Sequence, residues 1–145
     1  MLRGPWRTAA AVTLALTAML AGACGKKHEG PPHVPGTPHT DEVIEAWKDE
    51  GLAPDTFTFT DPAAFGAGYC ATGRVAGLEA LICEYADDES VSRGKKIVQG
   101  QWDKQKLSTG VLLQSKRTLL AISDRAAADT GGRTINRLVK VFKKL

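Results

Sequence analysis

The stretch from Tyr69 to Tyr85 constrains this fold more than any other part of the chain. Two runs of strand-forming residues flank Ala76-Gly77, a pair small enough to turn tightly. With those two residues as the loop, Val75 faces Leu78 and, counting outward in step, Cys70 faces Cys83. Hydrogen-bonded and non-hydrogen-bonded pairs alternate along an antiparallel ladder. The two cysteines fall on a non-hydrogen-bonded pair, where strands approach most closely, a separation that suits a disulfide. The loop so closed is short, and chain entropy allows up to about 3 kcal/mol. The gain is smaller here, because the turn already restricts that loop in the unfolded chain. A redox-active pair is disfavoured, because strand thiols lack the Cys-X-X-Cys arrangement at a helix start that lowers a thiol pKa.

The chain has 145 residues and a net charge of +3. Residues 40–89 carry 12 acids against Lys48 and Arg74, whereas residues 90–145 carry 13 bases against Asp103, Asp124 and Asp129. Either the two halves interleave and neutralise each other, or the molecule keeps one basic face able to meet anionic lipid, anionic glycan or an acidic envelope protein. Nucleic acid is not expected as a partner, because export removes the protein from it.

Export is read from the first residues. Arg3 and Arg7 form a positive start, and Thr8 to Ala23 is apolar but shorter than the roughly 20 residues of a bilayer span. The run ends Leu20-Ala21-Gly22-Ala23-Cys24. This resembles the lipobox of bacterial lipoproteins, in which small residues precede a cysteine. The family prefers Leu three places before that cysteine, whereas Ala21 stands there and Leu20 one place earlier. The resemblance covers only the leader. It implies that residues 1–23 are a signal peptide, that Cys24 is the lipid attachment site, and that its new amino terminus carries a further acyl chain such as palmitate. One acyl chain anchors marginally, and a second makes the anchor stable. The competing reading is an ordinary secreted protein with Cys24 as an odd thiol. Gly25 follows, not the Asp that retains many lipoproteins in the inner membrane, so the analogy favours the outer membrane, facing the periplasm.

Residues 24–39 are expected to be the lipidated Cys followed by a disordered Pro/Gly tether, with few apolar side chains to bury. Fully extended, it would hold the domain on the order of 45 Å from the bilayer. All three histidines, His28, His33 and His39, lie in it. No rigid element or carboxylate cluster fixes them, so a solvated tether is expected and no metal site.

Residues 40–145 are expected to form a single α+β domain. Thr40 reads as the cap of a helix over 41–50, with Val43, Ile44 and Trp47 as its apolar stripe and Gly51 at its stop. Asp55 to Thr60 alternates strictly and reads as a strand with Phe57 and Phe59 buried. Asp61-Pro62 opens one helical turn. After the central hairpin, Asp87-Asp88-Glu89 starts a helix over about 88–102, with Val91, Gly94, Val98 and Trp102 on one face. Gly94 there permits close approach to the sheet. Thr109–Gln114 and Thr118–Asp124 form a second hairpin about Ser115-Lys116-Arg117, apolar enough to be central and covered on at least one face. A loop over 126–132 leads to a last helix, about 133–144. Its apolar side holds Ile135, Leu138, Val139, Phe142 and Leu145, and packing on the sheet is preferred to lying on a membrane. The order is α-β-β-β-α-β-β-α: an antiparallel sheet of two hairpins plus a further strand, with helices on one face.

Within residues 40–145 there is no histidine, and the disulfide leaves no free thiol, so Ser-His-Asp and Cys-His hydrolysis lack support. No phosphate-cradling glycine motif appears; Asp129-Thr130-Gly131-Gly132 reads as a loop. Its first three residues are similar to the Asp-Thr-Gly of aspartic proteases, but no second copy exists. Glu79 and Glu84 stay open as acid-base candidates. The expectation is a lipid-anchored, non-enzymatic binding or assembly module with no cofactor and no catalytic residues. The alternative is a small periplasmic enzyme or ligand sensor using surface carboxylates.

Overall fold

The computed structural model describes residues 30–107 and 109–145. The leader and Cys24 lie outside the described residues. The elements are α1 (Thr40–Asp49), β1 (Thr58–Phe59), a 3-10 turn (Pro62–Phe65), β2 (Tyr69–Val75), β3 (Leu78–Glu84), α2 (Asp88–Lys104), β4 (Gly110–Ser115), β5 (Thr118–Ser123) and α3 (Arg133–Phe142). Their order is the expected one. The five strands form one antiparallel sheet in the order β1-β2-β3-β5-β4.

The β2–β3 hairpin has the register read from its turn: Val75 pairs with Leu78 and Cys70 with Cys83. Ala76 and Gly77 both take positive φ, 51° and 83°, the backbone that a two-residue turn of matching twist requires. The second hairpin is tighter than expected. Ser115 pairs with Thr118, so only Lys116 and Arg117 form the loop.

The expectation of helices on one face is corrected. Both sides of β3 and β5 are apolar, and each needs cover. On one face Val75, Leu78, Ala80, Ile82, Leu120 and Ile122 meet Val43 and Trp47 of α1 and Ile135, Leu138, Val141 and Phe142 of α3. On the other, Cys70, Cys83, Leu119 and Ala121 meet Tyr85 together with Val91 and Val98 of α2, with Phe65 of the 3-10 turn beside them. The sheet is therefore sandwiched. Only β5 of the second hairpin is central; β4 is an edge strand.

Gly94 does permit close approach, and the neighbour is the Tyr85 ring. A Cβ at Gly94 would sit 2.0 Å from Tyr85 Oη. That hydroxyl donates to Phe65 O at 3.2 Å and ties the 3-10 turn to the α2 face. α3 packs inward as preferred, with Val141 rather than Val139 among its fully covered residues. Asp124 prepares its start by accepting from Ala128 N and Asp129 N, and Asp129 in turn accepts from Ile135 N.

Two further expectations are overturned. Asp55–Thr60 is not one full strand: Thr58 and Phe59 form the ladder with β2, and only the ends add to it, Asp55 N donating to Arg74 O at 2.8 Å and Thr60 N to Cys70 O at 3.0 Å. Phe57 drops onto Gly73, where a Cβ would come 2.5 Å from its ring, and joins the rim of the α1 core. Phe59 stays 40% exposed. The second correction concerns the tether. Residues 33–40 are not a free spacer but a strap bound across the end of the sheet, and the carboxylate that binds it is Glu84.

Candidate functional site

Among the described residues, three places carry the chemistry available to this fold. The first is a cleft on the α2 side. α2 covers the sheet over the disulfide, and beyond Val98 and Trp102 the strand surface lies open. The cleft holds about 480 Å³, within the range of roughly 300–1,000 Å³ usual for small-molecule sites. Leu81, Ala121 and Trp102 supply its apolar surface, and Thr58, Thr72 and Gln101 supply neutral polar groups. Glu79 is the centre of its charge. Arg125 Nε lies 2.8 Å from one Glu79 oxygen, Arg74 Nη2 3.9 Å from the other, and Ser123 Oγ donates at 3.3 Å. Arg125 also donates to Gln105. Asp55 lines the same cleft. Such a mixture of both charges, hydroxyls and an indole suits a small polar ligand with one apolar face.

β3 sends its two candidate carboxylates to opposite faces and opposite ends. Glu79 faces the cleft. Glu84, fully buried, lies on the α1 side. Its Oε1 accepts from His33 Nδ1 at 2.7 Å, Thr40 N at 2.7 Å and Thr40 Oγ1 at 3.1 Å; its Oε2 accepts from Val34 N at 2.9 Å. The strap is sewn down further along. Arg117 Nη2 donates to Pro35 O at 2.7 Å, and Thr37 Oγ1 accepts from Arg117 N at 3.0 Å. Thr118 Oγ1 donates to Pro38 O and accepts from Thr37 Oγ1 at 2.7 Å. His39, not Thr40, stands at the α1 N-cap, its N–H donating to Glu42 at 3.2 Å and its ring to Val34 O at 3.0 Å.

Two histidines therefore belong to the folded unit, contrary to the sequence reading. His33 stacks on His39 with ring centres 4.8 Å apart and lies 4.3 Å from the Tyr69 ring. Its Nε2 is 3.4 Å from Asp41 Oδ2. The Glu84 bonds to His33, Val34 and Thr40 join the strap to the sheet, which makes the cluster a fastening. Among the described residues, no group of three or more His, Cys, Asp or Glu is arranged to hold a metal ion. Prolines at 31, 32, 35 and 38 masked the strap in the sequence, because they read as solvated linker. The signal that was there lay in Val34 and Thr37, a single apolar residue and a hydroxyl with no evident task in a free tether.

The third place is the α1–β1 groove, about 1120 Å³, between Ile44 and Glu45 on one wall and Phe57 and Phe59 on the other. Tyr69 lies in it, and its pKa is raised by burial first and then by the charges of Asp41 and Glu84. Elsewhere, burial pushes Tyr85 up to about 12. The Asp87 carboxyl is lowered chiefly by the Ser90 N–H that it accepts as the α2 cap.

Cys70 and Cys83 are buried with their α-carbons 4.2 Å apart and their sulfurs joined. Among the described residues, no helix is long and apolar enough to cross a membrane. Comparison with protein families, curated proteins and solved structures finds no match.

Proposed function

We propose that this chain is a lipid-anchored protein of the bacterial cell envelope, held in the outer membrane through Cys24 and facing the periplasm. Its domain acts as a non-enzymatic binding module that takes a small polar ligand in the α2 cleft. The observation that carries the reading is that cleft: an open strand surface beside Trp102 with Glu79, Arg74 and Arg125 gathered in it. The joined Cys70–Cys83 pair supports an oxidising compartment. The lipobox-like leader supports the anchor.

Two experiments test it. Cys24→Ala should move the protein from membrane to soluble fractions; unchanged fractionation ends the lipoprotein reading. The cleft is tested through its own fluorophore. Trp47 is fully buried and Trp102 lines the cleft, so oligosaccharides, neutral and anionic, added as probes should change Trp102 emission. The response should vanish in Trp102→Phe and weaken in Glu79→Gln. A panel that leaves the emission unchanged, or a response that survives Trp102→Phe, removes the cleft as the site. An enzyme or sensor built on surface carboxylates is the second reading. It rests on Asp55 and Glu79 sharing the cleft, and it requires turnover of a bound probe that Glu79→Gln abolishes.

A further inference from the structure

We propose that the α1–β1 groove is a second site, adjoining the cleft at Asp55, Thr56 and Thr58, and a dock for an extended cationic peptide segment of a partner protein. Its floor is apolar: Ile44, Phe57, Phe59 and Tyr69. Phe59 is the one large hydrophobic side chain left exposed among the described residues. The groove follows β1, which pairs with β2 on one side and, among the described residues, has no strand on the other. An open edge beside apolar pockets is what strand addition uses: main-chain hydrogen bonds give affinity, and alternate side chains enter the floor.

Charge selects the occupant. Asp41, Glu45 and Asp55 line the groove against a single base, Lys48. Lys48 is already paired with Glu45 at 2.6 Å. Asp41 also faces His33 across 3.4 Å, so among the described residues Asp55 is the lining acid with no base at ion-pair distance, and the lining as a whole keeps more acids than bases. Glu42, Asp49, Glu50 and Asp61 add to the acidity of the same stretch of chain. The fold spends its bases elsewhere: Arg125 goes to Glu79 and Arg93 to Glu89, while Lys144 reaches only Glu50, at 3.8 Å. An acidic rim over an apolar floor attracts a peptide that alternates lysine or arginine with apolar residues, and repels anionic lipid.

The test uses the mature chain with Cys24→Ala and two dye-labelled peptides, one alternating lysine with valine and one alternating glutamate with valine. Fluorescence anisotropy should show the lysine peptide binding, with affinity falling as salt rises, and the glutamate peptide not binding. The double variant Glu45→Lys/Asp55→Lys, exposed at both positions, should weaken the lysine peptide by about tenfold, the order that two exposed charge pairs contribute. Phe59→Ser should weaken it while leaving the salt dependence in place. Near-ultraviolet circular dichroism of Trp47 checks that each variant is folded. The proposal falls if the lysine peptide does not bind, if both peptides bind alike, if the double variant binds unchanged, or if the groove is filled by a second copy of the chain, seen as concentration-dependent dimerisation that Phe59→Ser abolishes.

Discussion

Gly94 shows how much a single residue settles. Alanine is the better helix former by about 1 kcal/mol in a helix interior, yet its Cβ would sit 2.0 Å from the Tyr85 hydroxyl oxygen. Overpacking of that kind costs about 1–3 kcal/mol, so Gly94→Ala should lower stability in urea denaturation. Adding Tyr85→Phe should recover part of the loss, because the nearest atom is the hydroxyl. The same ring makes a pH prediction. Tyr85 is held protonated up to about 12 in the fold and ionises near its ordinary 10.0 when unfolded. Between those values the unfolded chain binds fewer protons than the folded one, so stability falls as pH rises through that window. Tyrosinate absorbance should show late ionisation in the folded chain and an ordinary value in denaturant; an ordinary value in both would contradict the burial. The sequence revealed the small residue on the α2 face but not its partner, because Tyr85 reaches it only once the chain has turned from β3 into α2.

Among elements, the hairpins were the most legible. Turn residues and cysteines fixed the β2–β3 register because side-chain pairing follows arithmetically once a loop is known. β1 was less so: strict alternation over 55–60 promised a full strand, but Gly73 leaves a hollow that draws Phe57 off the ladder. The side on which each helix packs was also hidden. Near-continuous apolar residues in β5 say that both faces are buried, without saying which helix covers which. The strap was missed altogether, because the groups that hold it, Glu84, Arg117 and Thr118, are distant in the chain. Glu84→Ala removes the acceptor for His33, Val34 and both donors of Thr40. Leaving those donors unmet should cost about 3 kcal/mol. Limited proteolysis should then cut between residues 30 and 39 while β2 to β5 stay resistant. A variant as resistant as the wild type would show that Arg117 and Thr118 hold the strap unaided.

For the molecule as a whole, the two oppositely charged halves are only partly stitched together. β3 pairs with β5 and α1 lies on α3, which brings Glu79 to Arg125 and Glu50 to Lys144. The interleaving expected from the sequence is therefore real in the sheet. It does not extend to the outer side of α1, where the acids remain in excess. Neither the cleft nor the groove could be seen in the sequence, since each joins residues far apart in the chain, as Asp55 and Arg125 are.

The strap also changes the scale on which the protein works. For a chain held at Cys24, a strap that begins at His33 leaves at most residues 25–32 as spacer, about 25 Å at full extension against the 45 Å or so of a free tether. Energy transfer between a dye at Lys116, beside the strap, and a headgroup-labelled bilayer should be strong in the wild type and weaker in Glu84→Ala. With the proposed anchor in place, tension on it would enter the fold at Val34 and Thr40, and so at Glu84, the last residue of β3. A pull on the domain would therefore load the middle strand of the sheet directly.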